Sequence, residues 1–309
     1  MISIIIPAHN ARETIYRTLE SVAQQHVHKE LIVIDDFSTD GTMNIVEDFS
    51  KGCNFKVKMF RTDELRPSQK EPTGAPNIPR NLGVSMAQGE YIALLDSDDW
   101  WAPTKLIEQE EAMRKHKADV CTTSFLAINE ITKTQRLHGK NTGLAIYSNN
   151  VFERFLRRDK SKQTLMSTML FKKSIYPQMD EIFGVTDYLW TARLLEGHRV
   201  VVIEKPLMYR AVYGTNTSYG PLWREMQVNE QVMAMIFYAN KYGYDLDLSK
   251  RATWGSYARY LYQQGRYKEA RRYFFLAPRC KKVTAYYITS FFPFVAKWVS
   301  KKFNVWGDN

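Results

Sequence analysis

The sequence predicts an α/β fold: a mostly parallel sheet with helices on both faces, followed by a helical C-terminal appendage. Across the first half, short apolar β-branched runs alternate with amphipathic segments of helical length, the pattern of strand–helix–strand units. After Pro221 the pattern is helical almost to the end. A third observation is the acidic cluster Asp96-Ser97-Asp98-Asp99, which directly follows the apolar run Tyr91–Leu95. It puts charge at the carboxyl end of a buried strand, where open α/β sheets hold their ligands.

Taken in order, Ile2–Ile6, Leu31–Ile34, Phe55–Phe60, Tyr91–Leu95 and Val120–Phe125 read as strands, and Glu13–Gln25, Thr42–Ser50, Pro79–Ala87 and Pro103–His116 read as helices. Asp40-Gly41-Thr42 supplies turn and cap residues before the second helix. The Pro-, Gly- and charge-rich stretch from Thr62 to Pro79 is too long for a plain connector and reads as a lid or an insertion. From about Asn149 to Leu195 the pattern is α+β, with Gln163–Phe171 a strand and Asp187–Leu195 a helix, and Arg199–Ile203 a further strand. Tyr262 to Ala270, with Phe274 and Ala277, resembles half of a tetratricopeptide-type helical hairpin. One copy cannot form a solenoid, so it reads as an appendage. The expected division is residues 1–220 and 221–309.

The composition, 44% hydrophobic and 25% charged over 309 residues, argues against extensive disorder. A net charge of +10 calls for anionic partners: nucleic acid, a nucleotide-sugar, a polyanionic polymer or a membrane surface. Lys and Arg are spread along the chain and form no recognisable nucleic-acid motif, so nucleic acid is set aside. Cys53, Cys121 and Cys280 are too widely spaced for a disulfide framework or a zinc site. No apolar run reaches the roughly 18 residues of a spanning helix, and Ile2 to Pro7 is too short for a signal peptide. The expectation is a cytoplasmic protein, soluble or peripheral on the inner face of the cell membrane. Residues 283–306 mix Tyr286, Tyr287, Phe291, Trp298 and Trp306 with Lys297, Lys301 and Lys302. Two readings stand for them: an interfacial membrane helix, or a terminal helix docked through its aromatic face and interrupted at Pro293.

Three carboxylates within four residues suit a hard cation. Mg²⁺ or Mn²⁺ takes one or two carboxylates and fills its other positions with water and phosphate oxygens, so the expected ligand is a metal-bound diphosphate. A helix cap before Pro103 is the competing reading, but one cap needs one Asp.

With these residues assembled, the chain resembles an inverting family 2 glycosyltransferase with the GT-A fold, from Met1 to about Ser218. Ile4-Ile5-Ile6-Pro7-Ala8-His9-Asn10 resembles the family's opening strand and turn, Ile34-Asp35-Asp36 through Thr42 its acidic second-strand tip, and Arg80 through Trp101 its Arg-Asn-x-Gly to Asp-x-Asp-Asp-x-Trp run. The resemblance implies a nucleotide-sugar donor, most readily a UDP-sugar, bound by Pro7, Ala8, His9, Asn10, Asp36, Arg80, Asp96 and Ser97. Asp36 suits the donor N–H of a uracil ring, while Asp35 suits turn formation before Ser38. Arg80 suits the diphosphate or the acidic tip, because a guanidinium bridges anions. The resemblance also makes Asp98 the direct metal ligand, with Asp96 the other member of the DXD pair and Asp99, Trp101 and Arg210 supporting the site or the acceptor. Phe183 to Trp190 resembles the family's Glu-Asp helix start, with Thr186 in place of the Glu, which leaves Asp187 as the general base. Its competing reading is a first-turn residue at the helix dipole. Tyr209 to Tyr213 and Thr217-Ser218 resemble a loop that in many relatives carries a His, and Val212 stands at that position.

The implied activity is metal-dependent, inverting transfer of a sugar to a hydroxyl of a saccharide or lipid-linked acceptor in surface polysaccharide or glycoconjugate synthesis. Transfer to a polyprenyl phosphate and a catalytically silent nucleotide-sugar-binding module are the alternatives, separated by lipid-phosphate acceptor assays and by donor binding without turnover. The first turn lacks the G-x-G of nucleotidyltransferases and dinucleotide oxidoreductases.

Overall fold

A computed structural model describes residues 1–72, 76–148, 150–158, 165–181, 187–213, 221–278 and 281–291. The chain divides into two compact units, Met1–Asn216 and Thr217–Asn309.

The first unit is built on strands β1 (Ile2–Ala8), β2 (Lys29–Asp35), β3 (Lys56–Arg61), β4 (Tyr91–Leu94), β5 (Trp100–Trp101), β6 (Val120–Asn129), β7 (Gln135–His138), β8 (Ala145–Ser148), β9 (Leu170–Lys172) and β10 (Val200–Val212). They form one sheet in the order β3-β2-β1-β4-β9-β6-β10-β5, with β7 on β6 and β8 on β10. β1 to β4 are mutually parallel, as are β6 and β10, while β9 lies antiparallel between β4 and β6. β1 and β2 are buried along their whole length, which is why their sequences are apolar runs rather than alternations.

Side chains still alternate between the two faces. Ile4 and Ile6 join one core with Ile15 and Leu19 of α1 (Ile15–Ala23), Val46 of α2 (Thr42–Lys51), and Leu106 and Met113 of α5 (Lys105–His116). Ile5, Ile32 and Ile34 join the other with Val84 of α4 (Asn77–Met86), Val151 of α6 (Val151–Leu156), and Trp190 and Leu194 of α7 (Asp187–Leu195). Gly83 of α4 sits so close to Ile5 that any added Cβ would collide with that side chain.

Three expectations shift. Met166–Thr168 is a 3-10 turn, and the strand predicted over 163–171 is confined to β9. Thr168 Oγ1 donates to Leu165 O at 2.6 Å, a local bond that competes with strand pairing. β10 runs nine residues beyond Ile203, taking in the Tyr209–Val212 stretch expected to be a loop. It continues along β6 with register shifts at Pro206, which has no N–H to give the ladder. The 62–79 segment opens with a short helix, α3 (Thr62–Leu65), and ends in the first turn of α4; residues 73–75 lie outside the described residues.

The second unit comprises α8 (Pro221–Tyr242), α9 (Asp247–Gln263), α10 (Tyr267–Leu276) and α11 (Lys281–Thr289). The Tyr262–Ala270 motif spans the α9–α10 connection, where Gly265 adopts φ 76°. Tyr257, Leu261, Tyr262, Phe274, Val283 and Tyr286 share one core. Val283 and Tyr286 are buried while Ile288 and Phe291 are exposed, and residues 292–306 of the aromatic, lysine-bearing tail lie outside the described residues. Among the described residues no helix is long and apolar enough to cross a membrane.

Candidate active site

Parallel register brings the ends of three strands together. Ala8 of β1 is paired with Asp35 of β2, and Ile5 with Leu94 of β4. The turns carrying Pro7 to Asn10, Asp36 and Asp96 to Asp99 therefore share one crevice. Ala8 O accepts the Asp36 N–H at 2.7 Å, and the His9 ring lies across the gap with Nδ1 2.5 Å from Asp36 O. Asn10, in the left-handed region at φ 47°, accepts the Thr39 N–H on Oδ1 at 2.9 Å and donates its own N–H to Ser38 Oγ. His9 and Asn10 thus bracket the two turns. Asp35 accepts the Ser38 N–H at 3.2 Å and shapes the second turn, while Asp36 is 5% exposed.

Oxygen atoms of Asp96, Asp98 and Asp99 lie within 4.8 Å of one another. The tip is pinned from α1, where Thr18 Oγ1 donates to Ser97 O (3.0 Å) and Asp99 O (2.8 Å). Ser167 of the 3-10 turn holds it from the other side, its Oγ accepting the Asp96 N–H at 3.3 Å. Burial, then the Asp96 charge, pushes the Asp98 carboxyl up to about 6, against the pull of Arg210 and Arg17. Burial and the charges of Asp96 and Asp98 hold Asp99 well above the carboxylate range. Three crowded carboxylates with only oxygen donors fit a hard divalent cation, whose charge would reverse these shifts. Asp98 and Asp96 would hold Mn²⁺ or Mg²⁺, with buried Asp99 in support. Such an ion would supply neutralising charge to a bound diphosphate.

Arg80, 4% exposed on its side chain, joins this tip to the helix start opposite. Its Nη2 donates to Asp96 Oδ1 at 2.5 Å, and its Nη1 lies 3.8 Å from Asp187 Oδ1. Its buried Nε and Nη1 hydrogens have no hydrogen-bond acceptor among the described residues. The charges of Asp96 and Asp187 raise the Arg80 pKa despite burial. Asp187 keeps 62% of its side chain exposed beside Arg80, and partial desolvation raises its pKa against the pull of that guanidinium. Arg210 adds positive charge towards Asp98, Asp99 and Asp187. Thr186 lies outside the described residues, as do Thr217 and Ser218.

Trp101 is 2% exposed and donates its indole N–H to Ser167 O at 2.8 Å, which makes it a support from within the core. Trp100 is half-buried, stacked on Tyr209 at 5.5 Å and covered by the Arg17 guanidinium at 3.6 Å. Sequence reasoning passed over Arg17, Thr18 and Ser167, because each reaches the tip only through the fold. A recess of 660 Å³ opens at the other ends of the strands, against Met1, Lys29 and Lys56; the chemistry, not cavity volume, locates the site.

The family model described as "Glycosyl transferase family 2" matches residues 3–176. Poly(ribitol-phosphate) β-N-acetylglucosaminyltransferase TarS of Staphylococcus aureus is 27% identical over 218 residues, 68% of this chain and 35% of TarS. UDP-Glc:α-D-GlcNAc-diphosphoundecaprenol β-1,3-glucosyltransferase WfaP of Escherichia coli is 39% identical over 119 residues, 38% of this chain and 43% of that protein. The chain thus spans less than half the length of these curated relatives. The crystal structure of S. aureus TarS 1–349 in complex with UDP-GlcNAc superposes with a TM-score of 0.61 at 18% identity, covering 98% of this chain and 91% of that one, a likeness of fold.

Proposed function

Because the chain belongs to glycosyl transferase family 2, we propose that it transfers a sugar from a UDP-sugar, with inversion and with a divalent metal, to a hydroxyl of a saccharide or lipid-linked acceptor in surface glycan synthesis. The observation that carries this reading is Arg80, buried between Asp96 of the acidic tip and Asp187 of the facing helix. It joins a carboxylate cluster suited to a metal-bound diphosphate to a carboxylate suited to accept a proton. Asp187 takes the proton of the attacking hydroxyl on the side away from the leaving group. Arg80 and Arg210 hold the negative charge of the crevice in check, and Asp36 with the turn at Pro7 and Ala8 receives the base. The relatives named for glycosyl transfer to poly(ribitol-phosphate) and to a diphosphoundecaprenol-linked sugar support the acceptor class.

UDP release from a panel of UDP-sugars, with Mn²⁺ or with EDTA, tests it. The expected result is metal-dependent release from one donor, abolished in Asp98→Ala and strongly reduced in Asp187→Ala. Release unaffected by either substitution would sink the assignment.

The reading extends to a membrane surface on the cytoplasmic side. Residues 217–309 hold 15 Lys and Arg against 6 Asp and Glu, a net +9 of the chain's +10, whereas residues 1–216 hold 28 against 27. The basic balance therefore belongs to the helical unit rather than to the donor site. That unit also keeps Phe275, Ile288 and Phe291 more than half exposed, and cationic charge beside exposed apolar side chains suits an anionic bilayer.

A further inference from the structure

We propose that Lys105 is a positioning residue for the acidic tip: its buried ammonium, seated between the Trp101 ring and the Gln109 carboxamide, holds the Met166–Thr168 turn against Asp96 and Asp99. The inference rests on the reading of that tip as a metal–diphosphate site.

Lys105 opens α5 and is fully buried. Its Nζ donates to Gln109 Oε1 at 2.7 Å and lies 4.1 Å from the Trp101 ring centroid. The described residues give it no carboxylate within ion-pair distance. Its ionisable neighbour is Cys121, a thiol that burial pushes up to about 12 and so keeps neutral. An ammonium buried without a counter-charge is costly; a Met side chain of similar length would fill the space without that cost. What the charge does is visible in its two contacts.

The first contact fixes an amide. With Oε1 facing the ammonium, Gln109 must turn Nε2 outward, where it donates to Cys121 O at 3.1 Å and Thr168 O at 2.9 Å. Replacing the cation with an apolar group leaves the buried Oε1 without its donor, so the amide that carries the bond to Thr168 O loses its anchor on that side. The second contact fixes a ring. A cation over the indole face restrains Trp101, whose Nε1–H donates to Ser167 O at 2.8 Å. Both contacts thus end on one turn, Ser167 through Trp101 and Thr168 through Gln109. Ser167 in turn accepts the Asp96 N–H and lies beside the Asp99 carboxyl, whose pKa it helps to lower. One cation therefore holds the turn from two directions, and the turn holds the acidic tip.

The test compares wild type, Lys105→Met and Trp101→Phe at pH 6.5, on the acid side of the Lys105 value of about 7, by calorimetric titration of Mn²⁺ in the presence of UDP, of UDP alone in EDTA, and by thermal midpoint. Lys105→Met is expected to weaken Mn²⁺ binding by about 10- to 100-fold, the range for residues that orient metal ligands. Its affinity for UDP in EDTA stays within about 2-fold and its midpoint does not fall, a split that a merely structural lysine would not produce. Trp101→Phe, which keeps an aromatic face but loses the N–H, reproduces the Mn²⁺ loss. The double variant loses no more than the larger single loss, because both act through one turn. Wild-type Mn²⁺ affinity in Lys105→Met overturns the proposal; if that variant does not fold, Lys105→Gln and Trp101→Phe carry the same test. Wild-type protein that binds neither UDP nor Mn²⁺ overturns the reading of the site itself, and this inference with it.

Discussion

At Lys105 burial lowers the ammonium pKa from 10.5 to about 7, so the unfolded chain keeps a proton that the folded chain releases. Between these values the unfolded state binds more protons, and stability rises with pH; below pH 7 the full penalty stands. Lys105→Met removes it. The variant should therefore melt above wild type near pH 6, by an amount on the order of 3 to 5 kcal/mol at most, and the gap should close towards pH 10, as thermal midpoints across that range would show. At Asp187 partial desolvation raises the pKa and Arg80 opposes it. In the proposed role of general base Asp187 works unprotonated, so turnover should fall as pH drops through that value, and Arg80→Gln should move the acidic limb of kcat to higher pH. Asp187→Asn should lower kcat by about 10² to 10⁴ with donor affinity retained, which a comparison of kcat with donor Kd checks. The carboxylates were legible because they crowd into four residues. Ser167 was not, since a single serine 71 residues downstream of Asp96 carries no local mark. The order of Trp100 and Trp101 was equally hidden, because only the pleat of β5 decides which indole points inward.

Among the elements, α4 has the tightest seat. Gly83→Ala should destabilise the first unit by about 1 to 3 kcal/mol, read as a lower urea midpoint at unchanged slope, because Ile5 and Ile34 leave no room for a methyl group. Gly255→Ala in α9 should be milder, since its nearest neighbour, Ala277 Cβ, stands 3.1 Å from the added carbon. The parallel strands β1 to β4 could be read from sequence because burial on both faces demands unbroken apolar runs. β7 could not: Gln135–His138 is largely exposed, and its pairing with β6 leaves no apolar pattern. β9 has three residues, too few for any periodicity, and β10 continues past a proline that ordinarily marks a strand end.

For the molecule as a whole, the partition of charge was legible once a division was drawn, because residues 217–220 carry no charge and the expected boundary at 220 and 221 gives the same balance as the observed one at 216 and 217. A unit carrying +9 should co-sediment with vesicles rich in anionic lipid at about 0.05 M salt and be released at about 0.5 M, as screening shortens the reach of its charge. Retention by purely zwitterionic vesicles, or none by anionic ones at low salt, would count against the membrane reading.

The pairing of Met208 with Trp101 and of Ser167 with Asp96 bears on the order in which the chain assembles. β1 to β4 pair among themselves, so during synthesis this parallel half of the sheet has all its strands once residue 94 has emerged. The wall that steadies the acidic tip arrives more than a hundred residues later, after β9 has been inserted beside β4 and β10 has returned to β5. Closing such long loops is slow. A nascent chain should therefore gain its hydrophobic core well before the acidic tip is held in place, and the metal binding proposed for that tip would mark the last step of folding rather than the first.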